Sequence, residues 1–414
     1  MLLKEVLVTE SKIKVYGYRW LVLAVFMLVA VLNQLLWITF APITGAAASF
    51  YGTTDLVIGL LSMVFMVVYI IIALPSAWVI DTWGFRAAVS IGGVLTALGA
   101  LGRGIFAENF TIVFISQVVI AFGQPFILGS ITKLAARWFS LEERGTASGL
   151  GTLSMYLGIL LGMILTPVLT ISYTMKGMLL VYGIAAALVV ALFIILAREH
   201  PPTIPCPEGH NDRALMFDGL KSMLRNRNFI LLLIIFFIGL GMFNGVTSWI
   251  EVIVRPRGFS ISQAGMAGGL MLVGGVVGAL VIPLISDKIR RRKPFIIMAL
   301  AGLLPGLAGI TFAQSYWLLL LSGFIFGFFL LSSGPIGFQY GAEITHPAPE
   351  GTSNSLLLVM GQISGIVFIF LMDALKSPQG SMTISLLGLI GLMILCVILS
   401  FFLRESPVHD ATRR

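Results

Sequence analysis

Residues 20–40 read WLVLAVFMLVAVLNQLLWITF, an uninterrupted run without a charged side chain. An α-helix of about 20 apolar residues is long enough to cross the hydrocarbon core of a bilayer. The run is also too long for the apolar region of a cleavable signal peptide. It therefore predicts a first membrane-spanning helix, and similar runs recur along the chain.

The composition extends this prediction to the whole chain. Of 414 residues, 58% are hydrophobic and only 11% are charged, with a mean hydropathy of +1.02. A soluble domain has about 25% charged residues, so this composition cannot build a water-facing surface. The net charge of +8 would indicate a nucleic-acid partner in a soluble protein, but here the basic residues lie between apolar segments. We therefore expect a lipid bilayer as partner, and no nucleic acid.

Twelve segments have the length and polarity of a spanning helix, and short links rich in Gly, Pro or polar residues separate them. Because the segments are continuously apolar rather than alternating, they predict helices and not a β-barrel. The predicted spans are 19–41, 56–80, 87–106, 111–134, 146–168, 177–197, 229–250, 264–286, 294–313, 315–339, 352–374 and 381–403.

Basic residues are distributed unevenly between the links. With the N-terminus inside, 21 of the 26 Lys and Arg residues fall on the cytoplasmic side and the remaining five on the other. Cytoplasmic loops of membrane proteins carry such an excess. The distribution predicts a multi-pass plasma-membrane protein with both termini in the cytoplasm.

A polar segment with four prolines divides the predicted helices six and six. We place an N-terminal half at 1–198, a cytoplasmic linker at 199–228 and a C-terminal half at 229–414. An amphipathic stretch near 214–224 predicts a short interfacial helix within the linker.

Two landmarks repeat along the chain with one spacing. Asp81 and Asp287, which follow the second and eighth predicted helices, differ by 206 in number, and so do Gly145 and Gly351. A shared offset indicates an internal duplication. The predicted fold class is therefore an all-α membrane protein with twelve transmembrane helices in two pseudo-symmetric six-helix halves.

The turn after the second predicted helix reads DTWGFR (81–86), and its counterpart after the eighth reads DKIRRR (287–292). Both resemble the G-x-x-x-D-R-x-G-R-R signature of the major facilitator superfamily. The resemblance implies that cytoplasmic charges latch the two halves together in one state and release them in the other. The alternative is that these residues are ordinary helix-end partners and orientation anchors. The predicted latch residues are Asp81, Gly84, Arg86, Arg144, Asp287, Arg290, Glu343 and Glu350.

A closer resemblance covers nearly the whole chain. The stretches that carry it are VYGYRW (15–20), LSMVFMVVY (61–69), ALPSAWVID (73–81), GQPFILG (123–129) and EITHPAPEGTS (343–353). Together they are similar to the feline leukaemia virus subgroup C receptor-like family of haem and choline/ethanolamine carriers. The resemblance implies a facilitator fold with a central site and leaves the substrate open.

Polar side chains at bilayer depth are costly, and they indicate function. Asn33 and Trp37 are four residues apart and share one face of the first predicted helix. Gln124 and Gln362 fall at matching depths in opposite halves. The candidate binding residues found by depth are Asn33, Trp37, Gln124, Tyr156, Asn244, Ser248, Trp249 and Gln362.

By resemblance, Trp37, Met66, Gln124 and Gln362 match positions that line the choline site of the receptor-like family. Trp37 would stack over a quaternary ammonium, a contact worth about 0.5–2 kcal/mol. The family's second cage aromatic corresponds to Ser248 here, which leaves the aromatic cage incomplete. The alternatives are that the tryptophan is an interfacial anchor, that the amides bond neighbouring helices, and that the methionine only packs.

These features favour a secondary transporter that moves a small organic solute by alternating access. The candidate substrates are a choline-like cation, a haem-like porphyrin, and a carboxylate-bearing metabolite, for which Arg103 would have to face the path. The competing class is a membrane receptor or sensor without transport. No carboxylate falls mid-helix in the N-terminal half, which favours uniport or exchange over proton coupling. Glu343 is the candidate for proton coupling, and a salt bridge to a cytoplasmic Arg or Lys is its alternative interpretation.

The sequence contains no recognisable catalytic set. No G-x-x-x-x-G-K-[ST] motif is present, so we expect no ATP-driven step within this chain. His200, Cys206 and His210 do not have the spacing of a zinc site. We therefore expect no enzyme activity, no cofactor and no metal, and a monomer that binds a small-molecule substrate.

Overall fold

A computed structural model describes residues 16–140, 143–203, 223–289, 291–345 and 350–405. Within these ranges every regular element is a helix, and two short 3-10 turns lie at Ala41–Ile43 and Arg255–Arg257. The α-helices are α1 Tyr18–Ile38, α2 Thr44–Tyr51, α3 Asp55–Ile105, α4 Phe110–Leu128, α5 Ile131–Trp138, α6 Arg144–Leu196, α7 Arg227–Ser248, α8 Ile250–Val254, α9 Ile261–Ile289, α10 Lys293–Phe312, α11 Tyr316–Thr345, α12 Glu350–Ala374 and α13 Thr383–Phe401.

Ten helical stretches in the described part of the chain are long and apolar enough to cross a membrane. Two of them, α3 and α6, are 51 and 53 residues long, more than twice the length that one crossing requires. α3 is interrupted at Gly84, whose φ is 86°, and α6 at Thr174, whose φ is 64°. Both interruptions fall between predicted spans, so each long stretch contains two of the twelve predicted helices. The predicted all-α membrane fold is confirmed.

Helix ends differ from the prediction in two places. The first helix ends at Ile38, but the chain continues through a 3-10 turn and α2 as far as Tyr51. Pro42 lies at the start of that turn, in the second of its three residues. A proline is tolerated there because the first N–H groups of a helix have no partner within the helix. The predicted span 111–134 is divided after Leu128 into α4 and α5. Most of the predicted linker helix lies outside the described residues.

Large apolar side chains cover the outside of the bundle. Leu74, Ile195 and Trp317 are 71%, 76% and 77% exposed. In water a continuous surface of this kind would be an aggregation or binding patch. In a bilayer it meets hydrocarbon as apolar as itself. The surface therefore fits the integral membrane environment that the composition predicts.

We name the two ends of the bundle by their position relative to the linker. The linker end contains the chain near residues 16, 203, 223 and 405, and the distal end contains 51–55, 249–257 and 373–380. At the linker end each half is tied by its own bonds. Tyr18 Oη donates to the Leu196 carbonyl at 2.8 Å in the N-terminal half. Asn228 Oδ1 accepts from the Arg404 N–H at 3.2 Å in the C-terminal half.

Candidate functional site

Trp37 lies one residue before the end of α1, where the first helix gives way to a 3-10 turn. Its indole N–H donates to the Ser62 carbonyl of α3 at 3.0 Å, and the side chain is 6% exposed. Because the N–H is satisfied, the ring faces are the part of the side chain that a ligand would use.

Asn33, one turn earlier on α1, is occupied by protein contacts. Its Nδ2 donates to Thr96 Oγ1 at 3.1 Å, and Thr96 donates to the Gly92 carbonyl at 2.8 Å. Its Oδ1 accepts from Gln34 Nε2 at 3.4 Å. This buried chain of bonds joins α1 to the second part of α3, so Asn33 holds helices together in this conformation.

The two glutamines predicted at matching depths keep their amides available. Gln124 is 6% exposed and Gln362 is half-buried. Neither side chain forms a hydrogen bond with another described residue. Their amide atoms are also not among the fully buried polar atoms that lack a partner, so these two amides are accessible enough to receive a ligand or water.

Met66 and Asn244 come from opposite halves and meet at Gly365 on α12. A Cβ atom on Gly365 would lie 2.5 Å from Met66 Sδ and 2.8 Å from Asn244 Nδ2. Asn244 Nδ2 also donates to the Gly361 carbonyl at 3.3 Å. Glycine at 365 is therefore what allows α3, α7 and α12 to converge, one turn beyond Gln362.

Trp249 has no surface to offer a ligand in this conformation. Its side chain is fully buried, and its indole N–H donates to the Ile369 carbonyl at 3.1 Å. The ring packs on Gly59 of the other half, where a Cβ atom would lie 2.7 Å from Trp249 Cη2. The hydroxyl of the preceding Ser248 is buried and has no hydrogen-bond partner. Tyr156 is half-buried on α6.

Five charged side chains join the two halves at the distal end. Asp55 of α3 bonds Arg255 at 2.6 Å and Lys376 at 3.4 Å, both from the C-terminal half. Lys376 also bonds Asp373 at 2.8 Å, and Arg255 lies 3.6 Å from Glu251. Depth-based reasoning missed this cluster because every member lies at a helix end.

Glu251 carries the most buried carboxylate of this cluster. Its side chain is 4% exposed, and Oε2 accepts from the Gly45 N–H across the interface at 3.0 Å. Burial raises the pKa of Glu251, while the adjacent Arg255 and the Gly45 N–H act to lower it and Asp55 acts to raise it. The cluster holds three carboxylates against two cations, so one proton would make it neutral.

The predicted latch residues of the N-terminal half bond within that half. Asp81 pairs with Lys133 at 3.2 Å. Gly84 has a positive φ, and a Cβ atom there would collide with the Glu199 carboxylate. Glu199 accepts from the N–H of Phe85 at 3.2 Å and of Arg86 at 2.7 Å. The glycine therefore gives room for a carboxylate at the start of the next helix. Arg144 donates to the carbonyls of Phe139 and Ala136.

The C-terminal half has a corresponding buried cluster. Arg292, 4% exposed, bonds Asp287 at 2.5 Å and Glu343 at 3.2 Å. The predicted salt bridge of Glu343 to a basic residue is confirmed. Arg290 lies outside the described residues, as does the side chain of Glu350 at the start of α12. Arg292 was missed as a latch candidate, although it stands 206 after Arg86 and so occupies the equivalent position.

A fourth pair of residues shares the internal offset. Glu405 Oε1 accepts from the N–H of Arg292 at 2.7 Å and of Lys293 at 3.2 Å, at the start of α10. Glu199 does the same before the second part of α3, and 199 and 405 differ by 206. The two halves therefore share a structural device as well as sequence landmarks.

Arg103 does not face a central path. Its side chain is fully buried, and its described hydrogen bonds go to Leu36, Thr39 and Gln117. An anionic metabolite would require Arg103 to face the path. In this conformation it does not.

Two helical halves that meet around a shared interior, with buried polar side chains at membrane depth, define the class of helical membrane carriers. The comparisons identify the family. The Major Facilitator Superfamily model matches residues 26–369 and 252–413. The chain belongs to the major facilitator superfamily, as its turn motifs predict.

Several curated relatives match most of the chain. Solute carrier family 49 member A3 of Danio rerio is 32% identical over 391 residues, which are 90% of this chain and 82% of that protein. Choline/ethanolamine transporter FLVCR2 of Rattus norvegicus is 29% identical over 413 residues, 94% of this chain and 74% of that protein. These matches confirm the resemblance to the receptor-like family.

A solved structure has the same fold. The crystal structure of a bacterial homologue of the human lysosomal transporter Spinster, inward-facing and unoccupied, superposes with a TM-score of 0.76 at 15% identity. The superposition covers 94% of this chain and 98% of that one.

Proposed function

We propose that this chain is a secondary transporter that moves a small organic cation of choline type by alternating access. The placement of contacts between the halves carries the proposal. Hydrogen bonds and ion pairs between described residues of the two halves lie at the distal end, through Asp55 and Gly45. At the linker end Asp81 pairs with Lys133 of its own half, and Asp287 pairs with Arg292 of its own half. This asymmetry supports one end state of a rocking carrier, open towards the cytoplasm in the predicted orientation.

The composition of the interior supports a cation without a charged partner. In the proposed site a cation would lie on a face of the Trp37 ring, and Met66 would add a polarisable sulfur. Gln124 and Gln362 have amides with no partner among the described residues, suited to a hydroxyl group. Relatives named as choline/ethanolamine transporters agree with this chemistry.

Transport by this mechanism is downhill. Every Asp and Glu in the described ranges lies close to a helix end or a helix break. A proton-driven carrier places a carboxylate along its path, where burial makes it a proton acceptor near neutral pH. We therefore expect a choline gradient to drive uptake, and a proton gradient alone not to drive accumulation.

Uptake of radiolabelled choline into proteoliposomes tests the proposal. Trp37→Ala should abolish the saturable component, and Trp37→Phe should retain part of it because a phenyl face attracts a cation more weakly. The matched control is Trp317→Ala, whose ring is 77% exposed on the outside of the bundle. It should behave as wild type. Equal saturable uptake by wild type and Trp37→Ala would reject the cation site, and saturable uptake of haem or a carboxylate in place of choline would reject the substrate class.

A further inference from the structure

A fully buried arginine sits beside the break of the first helix. Arg103 Nη1 donates to the Leu36 carbonyl at 3.2 Å, and Nη2 donates to Thr39 Oγ1 at 3.1 Å. No described carboxylate lies within ion-pair distance of it. A buried cation is costly unless its donors are satisfied. Here the C-terminal end of α1, with the negative end of its helix dipole, supplies acceptors to Nη1 and Nη2, while Nε is buried without a described hydrogen-bond partner.

Gln117 of α4 completes the arrangement. Its Oε1 accepts from Arg103 Nη1 at 2.7 Å, and its Nε2 donates to the Leu36 carbonyl at 3.4 Å and to the Leu61 carbonyl at 3.2 Å. One buried amide therefore joins α1, α3 and α4. Its side chain is fully buried, so the bonds are shielded from water.

These contacts flank the hydrogen bond of Trp37 on both sides. Leu36 precedes Trp37 in α1, and Leu61 precedes Ser62, whose carbonyl accepts the indole N–H at 3.0 Å. Gln117 therefore holds both Leu36, the residue before the donor of this hydrogen bond, and Leu61, the residue before its acceptor.

We propose that Arg103 and Gln117 are positioning residues for Trp37, which fix the rotamer and depth of its indole ring. The ring position follows from the contacts above, and its use for a cation rests on the proposed function. The positioning of the ring and its use for a cation can therefore be tested separately, and either can be rejected without the other.

Fluorine NMR of protein labelled with 5-fluorotryptophan tests the positioning directly. Gln117→Met, which keeps the length of the side chain and removes the amide, should shift or broaden the Trp37 resonance. Trp138 and Trp249 are internal controls, because both are buried and donate to the carbonyls of Arg198 and Ile369. Their resonances should not move. Each resonance is assigned with the corresponding Trp→Phe variant.

A milder variant and a matched control keep the test decisive if Gln117→Met folds poorly. Thr39→Val removes one acceptor of Arg103 at nearly constant volume and should also shift Trp37. Arg257→Lys is the control, since Arg257 likewise donates to carbonyls, those of Ala313 and Ile253, but in the C-terminal half. It should leave Trp37 unchanged. An unmoved Trp37 resonance in Gln117→Met or Thr39→Val would overturn the proposal.

Transport kinetics separate positioning from general damage. Gln117→Met should raise the KM for choline roughly 2- to 30-fold, the range of one cation–π contact, with kcat little changed. In a Trp37→Phe background, which retains part of the saturable uptake and lacks the indole N–H, the same change should add little to the KM. Additive effects would overturn the positioning role. A shifted resonance together with unaltered choline transport in Trp37→Ala would reject the proposed function and leave the positioning intact.

Discussion

At the scale of single residues, two carboxylates stabilise the starts of the helices that follow the linker-end turns. Glu199 and Glu405 each accept two successive backbone N–H groups, at distances between 2.7 and 3.2 Å. The first N–H groups of a helix have no partner within it, and the positive end of the helix dipole lies there. The positive φ of Gly84 allows the chain to reach this geometry without a collision.

Removing either carboxylate should destabilise the protein by a similar amount. We expect Glu199→Gln and Glu405→Gln each to lower stability by about 0.5–2 kcal/mol, because the charge and one acceptor are lost at a cap. Thermal unfolding in detergent measures the change in Tm. Glu108→Gln is the control, since Glu108 pairs only with Lys176 and is 74% exposed. A loss in Glu108→Gln as large as in the other two would contradict the capping role.

Local motifs predicted some of these residues and missed others. Asp81, Gly84 and Arg86 follow from the turn signature, and the salt bridge of Glu343 follows from an acidic residue near a basic helix end. Glu199 could not be predicted, because the N–H groups it binds lie more than 100 residues earlier in the chain.

At the scale of helices and turns, the distal closure combines a packed ring with charges. Trp249 packs on Gly59 across the interface, and the charged cluster around Asp55 lies beside it. The cluster holds one more carboxylate than cations, and Glu251 is buried in this conformation. In the proposed mechanism, opening of the distal end would expose Glu251, so we expect the closure to be sensitive to protons.

Acidification should favour the closed distal end. The pKa of Glu251 is raised by burial in the closed form, despite Arg255 and the Gly45 N–H, and returns to its ordinary value in water when that end opens. The closed form therefore binds the proton more tightly. The added stability is present below the pKa of the open form, and it is lost as pH rises through the pKa of the closed form.

Thiol labelling measures this shift. Cys206 and Cys396 are the only cysteines and can be replaced. A reporter Ser248→Cys, at a buried position next to Trp249 in the chain, should react more slowly with a bulky impermeant reagent as the pH on the distal side falls. Glu251→Gln should react slowly at every pH. Persistence of the same pH dependence in Glu251→Gln would contradict the assignment.

The sequence predicted the helices better than it predicted the contacts between them. Each of the twelve predicted spans is largely helical, because continuous apolar runs are a strong signal. The break after Ile38 and the convergence of Met66 with Asn244 at Gly365 depend on packing between segments distant in sequence. The surroundings of two tryptophans could not be predicted for the same reason. Trp249 fills the interface between the halves, and Trp37 lies at a helix break.

At the scale of the whole molecule, two related halves are bonded at one end. The repeat could be recognised from its offset of 206, which the pair Glu199 and Glu405 shares. The closed end could not be predicted, because it is a property of one conformation. Asp55 and Lys376, which help to close it, are 321 residues apart.

The most direct test of the rocking mechanism measures both ends at once, by electron–electron double resonance between spin labels. Ser49→Cys and Gln379→Cys report on the distal end, and Thr82→Cys and Lys288→Cys, equivalent positions 206 apart, on the linker end. Asp55→Asn removes the carboxylate charge that pairs with Arg255 and Lys376. We expect this substitution to lengthen the distal distance and to shorten the linker-end distance. A longer distal distance with an unchanged or longer linker-end distance would contradict it.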